Sequence, residues 1–235
     1  EALVVEVREL DQQPSSNVIL NATPEAQTLH QEAVVLESAK TQNSLRAAVL
    51  RSMLASLTGV GRGIVGITAV SVTSPTSGFS KVALKADDKD LYGQYLTVPE
   101  FKHSMKVLGK PTPRDFPQLN AEKTQAAAAA PAVAAEEVTA GKADRTADAV
   151  QLHSEYIELV SVAGDIDKDL MLVKMRLKTM CGEARGIDGV CEYVREDRMT
   201  FDEDAFMADH PGLYEQFTIQ RQPQRRFAVM KSRDY

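Results

Sequence analysis

Two cysteines, four histidines, one glycine cluster and a basic run near the end are the residues whose types and spacing bear on chemistry. Cys181 and Cys191 stand ten apart, with no second pair and no His beside them. That spacing is neither a zinc signature nor a disulfide framework, and it reads as two reduced, partly buried thiols. His30, His103, His153 and His210 are scattered, and none pairs with a Cys or carboxylate at ligand spacing. His153 is expected in solvent at the start of a helix, and His210, before Pro211, in a turn. Gly59-Val60-Gly61-Arg62-Gly63 is too short for a phosphate-binding loop and lacks its Lys-Ser/Thr, so it reads as a helix stop. No Ser or Cys sits in a nucleophile frame, and no cofactor is implied by these residues.

The basic run carries more weight. Arg221, Arg225, Arg226, Lys231 and Arg233 lie close together with no acid among them, and Phe227 and Tyr235 are nearby. On a strand, Arg225, Phe227 and Val229 would share one face and Arg226, Ala228 and Met230 the other. Such a cluster contacts phosphates, each contact adding salt-dependent affinity, so these five are the candidate nucleic-acid-binding residues. The bland alternative is a charged edge strand that suppresses aggregation, or cations paired with an acidic helix.

The elements that must position these residues are mostly helical. The chain has 235 residues, 43% hydrophobic, with 6% aromatics and no Trp. That fits one ordinary domain or two small ones, with cores of Ala, Val, Leu and Met. The net charge of −6 argues against a simple polyanion binder. The longest apolar stretch, Ile64 to Val72, is far too short to span a bilayer. The acidic start lacks the basic region of a signal peptide. The expectation is a soluble, cytoplasmic protein with no membrane contact.

Residues 1–21 alternate weakly at Leu3, Val5 and Val7, which predicts a short strand and a loop, followed by the apolar patch Val18-Ile19-Leu20. Thr23-Pro24-Glu25 is a helix start, and the helix runs to about Leu57 with Leu29, Ala33, Leu36, Leu45, Val49, Met53 and Leu57 near helical spacing. Residues 64–86 read either as two strands around a loop or as a small-residue segment packed on a helix. Residues 97–109 predict a short helix capped at Thr97. Residues 111–146, rich in Ala and Pro, have linker composition, helical in part but interrupted by Pro131.

Residues 147–181 give the clearest period. Leu152, Tyr156, Leu159, Ala163, Ile166, Leu170, Val173, Leu177 and Met180 step by three and four along one face of a helix about 50 Å long. "VCEYV" and "RMTF" then read as arms of a hairpin through Arg195-Glu196-Asp197. Asp202 and Pro211 each start a short helix, and "RRFAVMKSR" closes as a strand. The whole predicts an α+β, helix-rich fold: long amphipathic helices, short strands and an Ala/Pro-rich linker. The segments are an N-terminal helix-containing domain at 1–110, a linker at 111–146 and a C-terminal long helix with a small α/β tail at 147–235. A helix this long needs a second surface, from residues 24–57, from another copy of the chain or from a protein partner.

The C-terminal third carries a longer pattern. Gly182, Ala184, Gly186, Ile187 and Gly189 form a turn after the long helix. Thr200-Phe201-Asp202, Phe206, His210-Pro211, Leu213-Tyr214 and Arg225-Arg226-Phe227 follow in order. Over residues 150–233 this resembles the C-terminal region of the YqaJ-like viral recombinases, the phage-type exonucleases, with Tyr193 where that family usually has Trp. The resemblance implies a restriction-endonuclease-like class. There an Asp and a Glu-x-Lys set hold Mg²⁺, which activates water, while the Lys steadies charge on the phosphate. One candidate set exists here, Asp87-Asp88 with Glu100-Phe101-Lys102, although Glu100 follows Pro99 and its neighbours are polar.

These observations lead to one expectation and two alternatives. The expectation is a phage or prophage accessory protein of DNA recombination or replication that binds DNA or a recombination partner. The first alternative is a divergent Mg²⁺-dependent exonuclease using Asp88, Glu100 and Lys102. The second is an interaction protein inhibiting a host defence or repair enzyme, its acidic helix mimicking a nucleic-acid backbone.

Overall fold

The computed structural model describes residues 2–232. It is α+β and helix-rich, as expected. Among the described residues no helix is long and apolar enough to cross a membrane. The chain divides into two compact units, each discontinuous in sequence. The first comprises residues 1–21, 74–106 and 178–223, and the second residues 22–73, 107–177 and 224–235. They are therefore interleaved along the chain, whereas composition marks out three consecutive segments.

The second unit rests on a helix pair. α2 (Pro24–Thr58) starts as predicted: Thr23 Oγ1 accepts from the Ala26 amide at 3.2 Å, and Pro24 takes the first helical position. It stops where Gly59 adopts φ 55. α6 (Ala147–Cys181) matches its predicted span and gives residues 147–177 to this unit. The two run antiparallel, because α2 positions 37, 40 and 43 meet α6 positions 174, 167 and 159 in descending order. Lys174 pairs with Glu37 at 2.7 Å, Lys40 with Asp167 at 2.6 Å, and the Asn43 amide donates to Leu159 O at 2.7 Å. The N-terminal helix thus supplies the second surface that α6 needs. The apolar face of α2 is corrected at its end. Met53 and Leu57 are exposed, and Leu54 is fully buried with Ile64, Ile67 and Ala149.

The stretch with linker composition is tied to this unit. α5 (Pro117–Ala129) packs on α2, and the helix stops before Pro131. Residues 139–143 then hydrogen-bond the loop after α2. The Thr139 amide donates to Val60 O, Arg62 N to Gly141 O, and Ala143 N to Gly63 O. β2 (Thr68–Val72) pairs antiparallel with β8 (Arg225–Val229), with Val70 opposite Phe227. His153, expected in solvent, is fully buried, its Nε2 2.9 Å from Met230 O. The backbone after β8 thus offers an acceptor to one imidazole nitrogen.

In the first unit, α1 (Ala2–Leu10) replaces the predicted strand. Leu3, Val7 and Leu10 also fit helical spacing, and they are the less exposed positions, while Val5 faces solvent. A four-stranded sheet runs in the order β1 (Ile19–Leu20), β5 (Gly186–Ile187), β6 (Cys191–Phe201), β4 (Leu96–Val107). β4 occupies the stretch predicted as a helix from Thr97. Its apolar Phe101, Met105 and Val107 fall on one side, with Lys102, Ser104 and Lys106 on the more exposed other side. That period of two suits a strand once β6 supplies its ladder.

β6 is one continuous strand rather than a hairpin. Cys191, Tyr193 and Arg195 point inward in alternation, so the charged triplet that reads as a turn holds a buried arginine. The sharp turn lies earlier, at Asp188–Val190, with Gly189 at φ 66. At Gly186 an added Cβ would run into the carbonyl oxygen of Cys191, so strands β5 and β6 approach this closely only over glycine.

β3 (Thr76–Phe79) pairs with β7 (Thr218–Arg221), a strand the sequence reading did not include. β2 and β3 are thus the two strands predicted around a loop, but each pairs with a C-terminal strand. α3 (Lys81–Asp87) and α4 (Lys89–Gln94) follow β3. α7 (Glu203–Asp209) starts at its predicted cap, Asp202 Oδ1 accepting from Ala205 N at 2.9 Å. α8 (Pro211–Gln216) starts at Pro211, with His210 in the turn between them. Phe206 is fully buried at the centre of their aromatic core. Its ring centroid lies 5.3 Å from Phe79, 5.4 Å from Phe201 and 5.1 Å from Tyr95.

Candidate functional site

The five predicted basic residues have different fates. β8 alternates as expected: Arg225, Phe227 and Val229 are half-buried, while Arg226, Ala228 and Met230 are exposed. Phe227 and Val229 pack against the Leu54–Ile64–Ile67 core, which forces their strand neighbours outward. Arg225 is committed to the fold. Its guanidinium donates to Gly59 O at 3.0 Å and lies 5.9 Å from the Phe227 ring. Arg51 is 5.8 Å from the same ring and donates to Phe227 O at 2.7 Å. Arg226 and Lys231 are exposed in the second unit, and Arg221 is exposed at the end of β7 in the first. Among the described residues no carboxylate pairs with these three. Arg233 lies outside the described residues.

The second unit also has two open apolar grooves. One is lined by Met53 and Leu57 of α2, Ala126 and Ala129 of α5, and Leu152 of α6. The other is lined by Val49 and Leu50 of α2 and by Leu159 and Val162 of α6, with Arg46, Glu122, Glu155 and Glu158 at its margin.

The residues of the nuclease-type set lie in the first unit. Glu100 and Lys102 share the outward face of β4 and pair with each other at 2.9 Å, both half-exposed. Asp88 separates α3 from α4 and caps the latter, its Oδ1 accepting from Leu91 N at 2.8 Å. One carboxylate is thus spent on a helix cap and the other on its own lysine. Among the described residues no three His, Cys, Asp or Glu side chains come together as a ligand set for a metal ion.

Sequence reasoning missed a polar cluster around Asp11, which also lies in the first unit. Asp11, just after α1, receives Lys178 Nζ on both oxygens, at 2.7 and 2.8 Å. It also accepts from the Tyr193 hydroxyl at 2.6 Å, and His103 Nδ1 of β4 lies 3.1 Å away. Burial pushes the Asp11 carboxyl up. The hydrogen bonds from Lys178 and Tyr193, with the charges of Lys178 and His103, outweigh it and hold the group below its ordinary value. Burial and the same hydrogen bond push the Tyr193 hydroxyl up.

Arg195 is fully buried beside this cluster. It donates to Leu10 O at 2.8 Å and Gly182 O at 2.9 Å, and its guanidinium lies 4.4 Å from the Tyr193 ring. Cys181 and Cys191 are buried with their Sγ atoms 3.7 Å apart. The alternation of Cys191 and Tyr193 was legible in advance, whereas Arg195 reads as part of a turn in the sequence. Asp11 is too far along the chain for any local pattern to connect it.

No family model matches the chain. No curated protein and no solved structure matches it either.

Proposed function

We propose that the chain is an accessory protein of phage or prophage DNA recombination or replication, acting in the bacterial cytoplasm, that binds DNA and a protein partner. The observation that carries the DNA reading is the exposure of Arg226 and Lys231 on and after β8, and of Arg221 on β7, with no carboxylate paired to them among the described residues. Exposed, unneutralised cations of this kind bind phosphates and release counterions. The resemblance of residues 150–233 to the tails of YqaJ-like recombinases supplies the recombination context. The open apolar grooves beside α2, α5 and α6 support the protein-partner part.

The test is fluorescence anisotropy of labelled single- and double-stranded DNA at several salt concentrations, with and without Mg²⁺. On duplex DNA each phosphate contact contributes a slope of about −0.9 in log affinity against log salt. Replacing Arg226 or Lys231 by Ala should flatten the slope by about one such contact each. Binding that is absent, or that these substitutions leave unchanged, sinks the DNA reading and moves the search to a protein partner. Mg²⁺-dependent cleavage that disappears in Glu100→Ala would replace it with a divergent exonuclease.

A further inference from the structure

Cys181 ends α6 and Cys191 opens β6, and the turn between them is braced by the β5–β6 ladder, with Ile187 opposite Cys191. Their sulfurs are 3.7 Å apart. A disulfide requires about 2.05 Å, so closure asks the sulfurs to approach by roughly 1.7 Å. Both thiols are buried in the first unit, and the charge of Arg195 bears on Cys181. Arg195 has carbonyl and ring partners but no carboxylate among the described residues; the nearby Asp11 is already taken by Lys178 and Tyr193. A buried cation without a counter-ion is costly, and it favours the thiolate that Cys181 must form when it resolves a mixed disulfide. Either thiol can donate across this contact; once Cys191 is ionised only Cys181 can, and that hydrogen bond holds the Cys191 thiol down against the effect of burial while Cys181 is pushed up.

We infer that Cys181 and Cys191 form a redox-modification site that small disulfides convert to an intramolecular disulfide. Cys191, as thiolate, attacks one sulfur of the small disulfide, forming a mixed disulfide and expelling one small thiolate. Cys181 then loses its proton and attacks the Cys191 sulfur, expelling the second. Two protein thiols are oxidised, one small disulfide is reduced to two thiols, and the two protons pass to the released thiolates. The product locks the end of α6 to the start of β6. The inference does not depend on DNA binding.

The test uses the reduced full-length chain incubated with oxidised glutathione, then unfolded in urea, alkylated and weighed intact. The expected result is loss of both alkylatable thiols, no added glutathione mass and a mass lower by two hydrogens, reversed by dithiothreitol. Cys181→Ser should keep one glutathione on Cys191, because the resolving thiol is gone, and Cys191→Ser should take up none. Two thiols still fully alkylatable, a glutathione on each cysteine, or disulfide-linked dimers would each overturn the inference. The wild-type measurement decides it even where a serine variant fails to fold.

Discussion

Asp11 makes the sharpest prediction. Its carboxylate receives two hydrogen bonds from Lys178 and one from Tyr193, with His103 alongside. The Lys178 and Asp11 side chains are only 13% and 17% exposed, so solvent compensates little when the carboxylate goes. Asp11→Ala leaves a largely buried ammonium and a phenol without their acceptor. Breaking such a pair by removing one partner costs about 3–5 kcal/mol. Partial exposure of His103 argues for the lower end. In a chain of this size about 3 kcal/mol lowers the melting temperature by roughly 6–12 °C.

Asp11→Asn keeps the shape and one acceptor oxygen but loses the charge, so it should cost less, about 1.5–3 kcal/mol. Its pH dependence is the more diagnostic readout. The folded-state carboxyl lies below its ordinary 3.8, so its contribution is complete above that value and is lost as pH falls through it toward the folded value. The gap between wild type and Asp11→Asn should therefore be full at pH 7 and shrink as the pH falls below the ordinary carboxyl value. Urea denaturation of both proteins at a series of pH values reads this directly. A variant within about 0.5 kcal/mol of wild type at pH 7, or a gap that does not shrink in acid, would refute the reasoning.

Further outcomes are expected elsewhere. Phe206→Ala should cost about 3–5 kcal/mol, because the ring is fully buried among Phe79, Phe201 and Tyr95; calorimetry or denaturant melts check it. Arg225→Ala should lower stability through the lost Gly59 bond and ring contact. Arg226→Ala should leave stability within about 0.5 kcal/mol and change only salt-dependent DNA binding. Thr23→Ala should cost about 1 kcal/mol through loss of the cap on Ala26, read in the same melts.

Local physics made much of this protein legible in its sequence. Caps at Thr23 and Asp202, prolines at 24 and 211 and the glycines at 59 and 182 mark helix ends by rules that need only a few neighbouring residues. Spacing alone marked most of the inward face of α6, though not its buried His153 and Met175. The alternation of β8 also followed, because Phe227 and Val229 are apolar and their neighbours are not.

Tertiary structure decided the rest wherever two periods competed or a partner came from far along the chain. Leu3, Val5 and Val7 fit a strand and Leu3, Val7 and Leu10 a helix, and exposure of Val5 with partial burial of Leu10 marks the helix. Residues 97–107 form a strand because β6 offers a ladder, and the Arg195–Asp197 triplet stays extended because Leu10 O and Gly182 O accept from the two terminal nitrogens of the buried guanidinium. His153 is buried because the backbone at Met230 accepts it. The Asp11 cluster joins residues from the beginning, middle and end of the chain. No local period encodes it, since the desolvation and charge that create it exist only once those strands and helices have met.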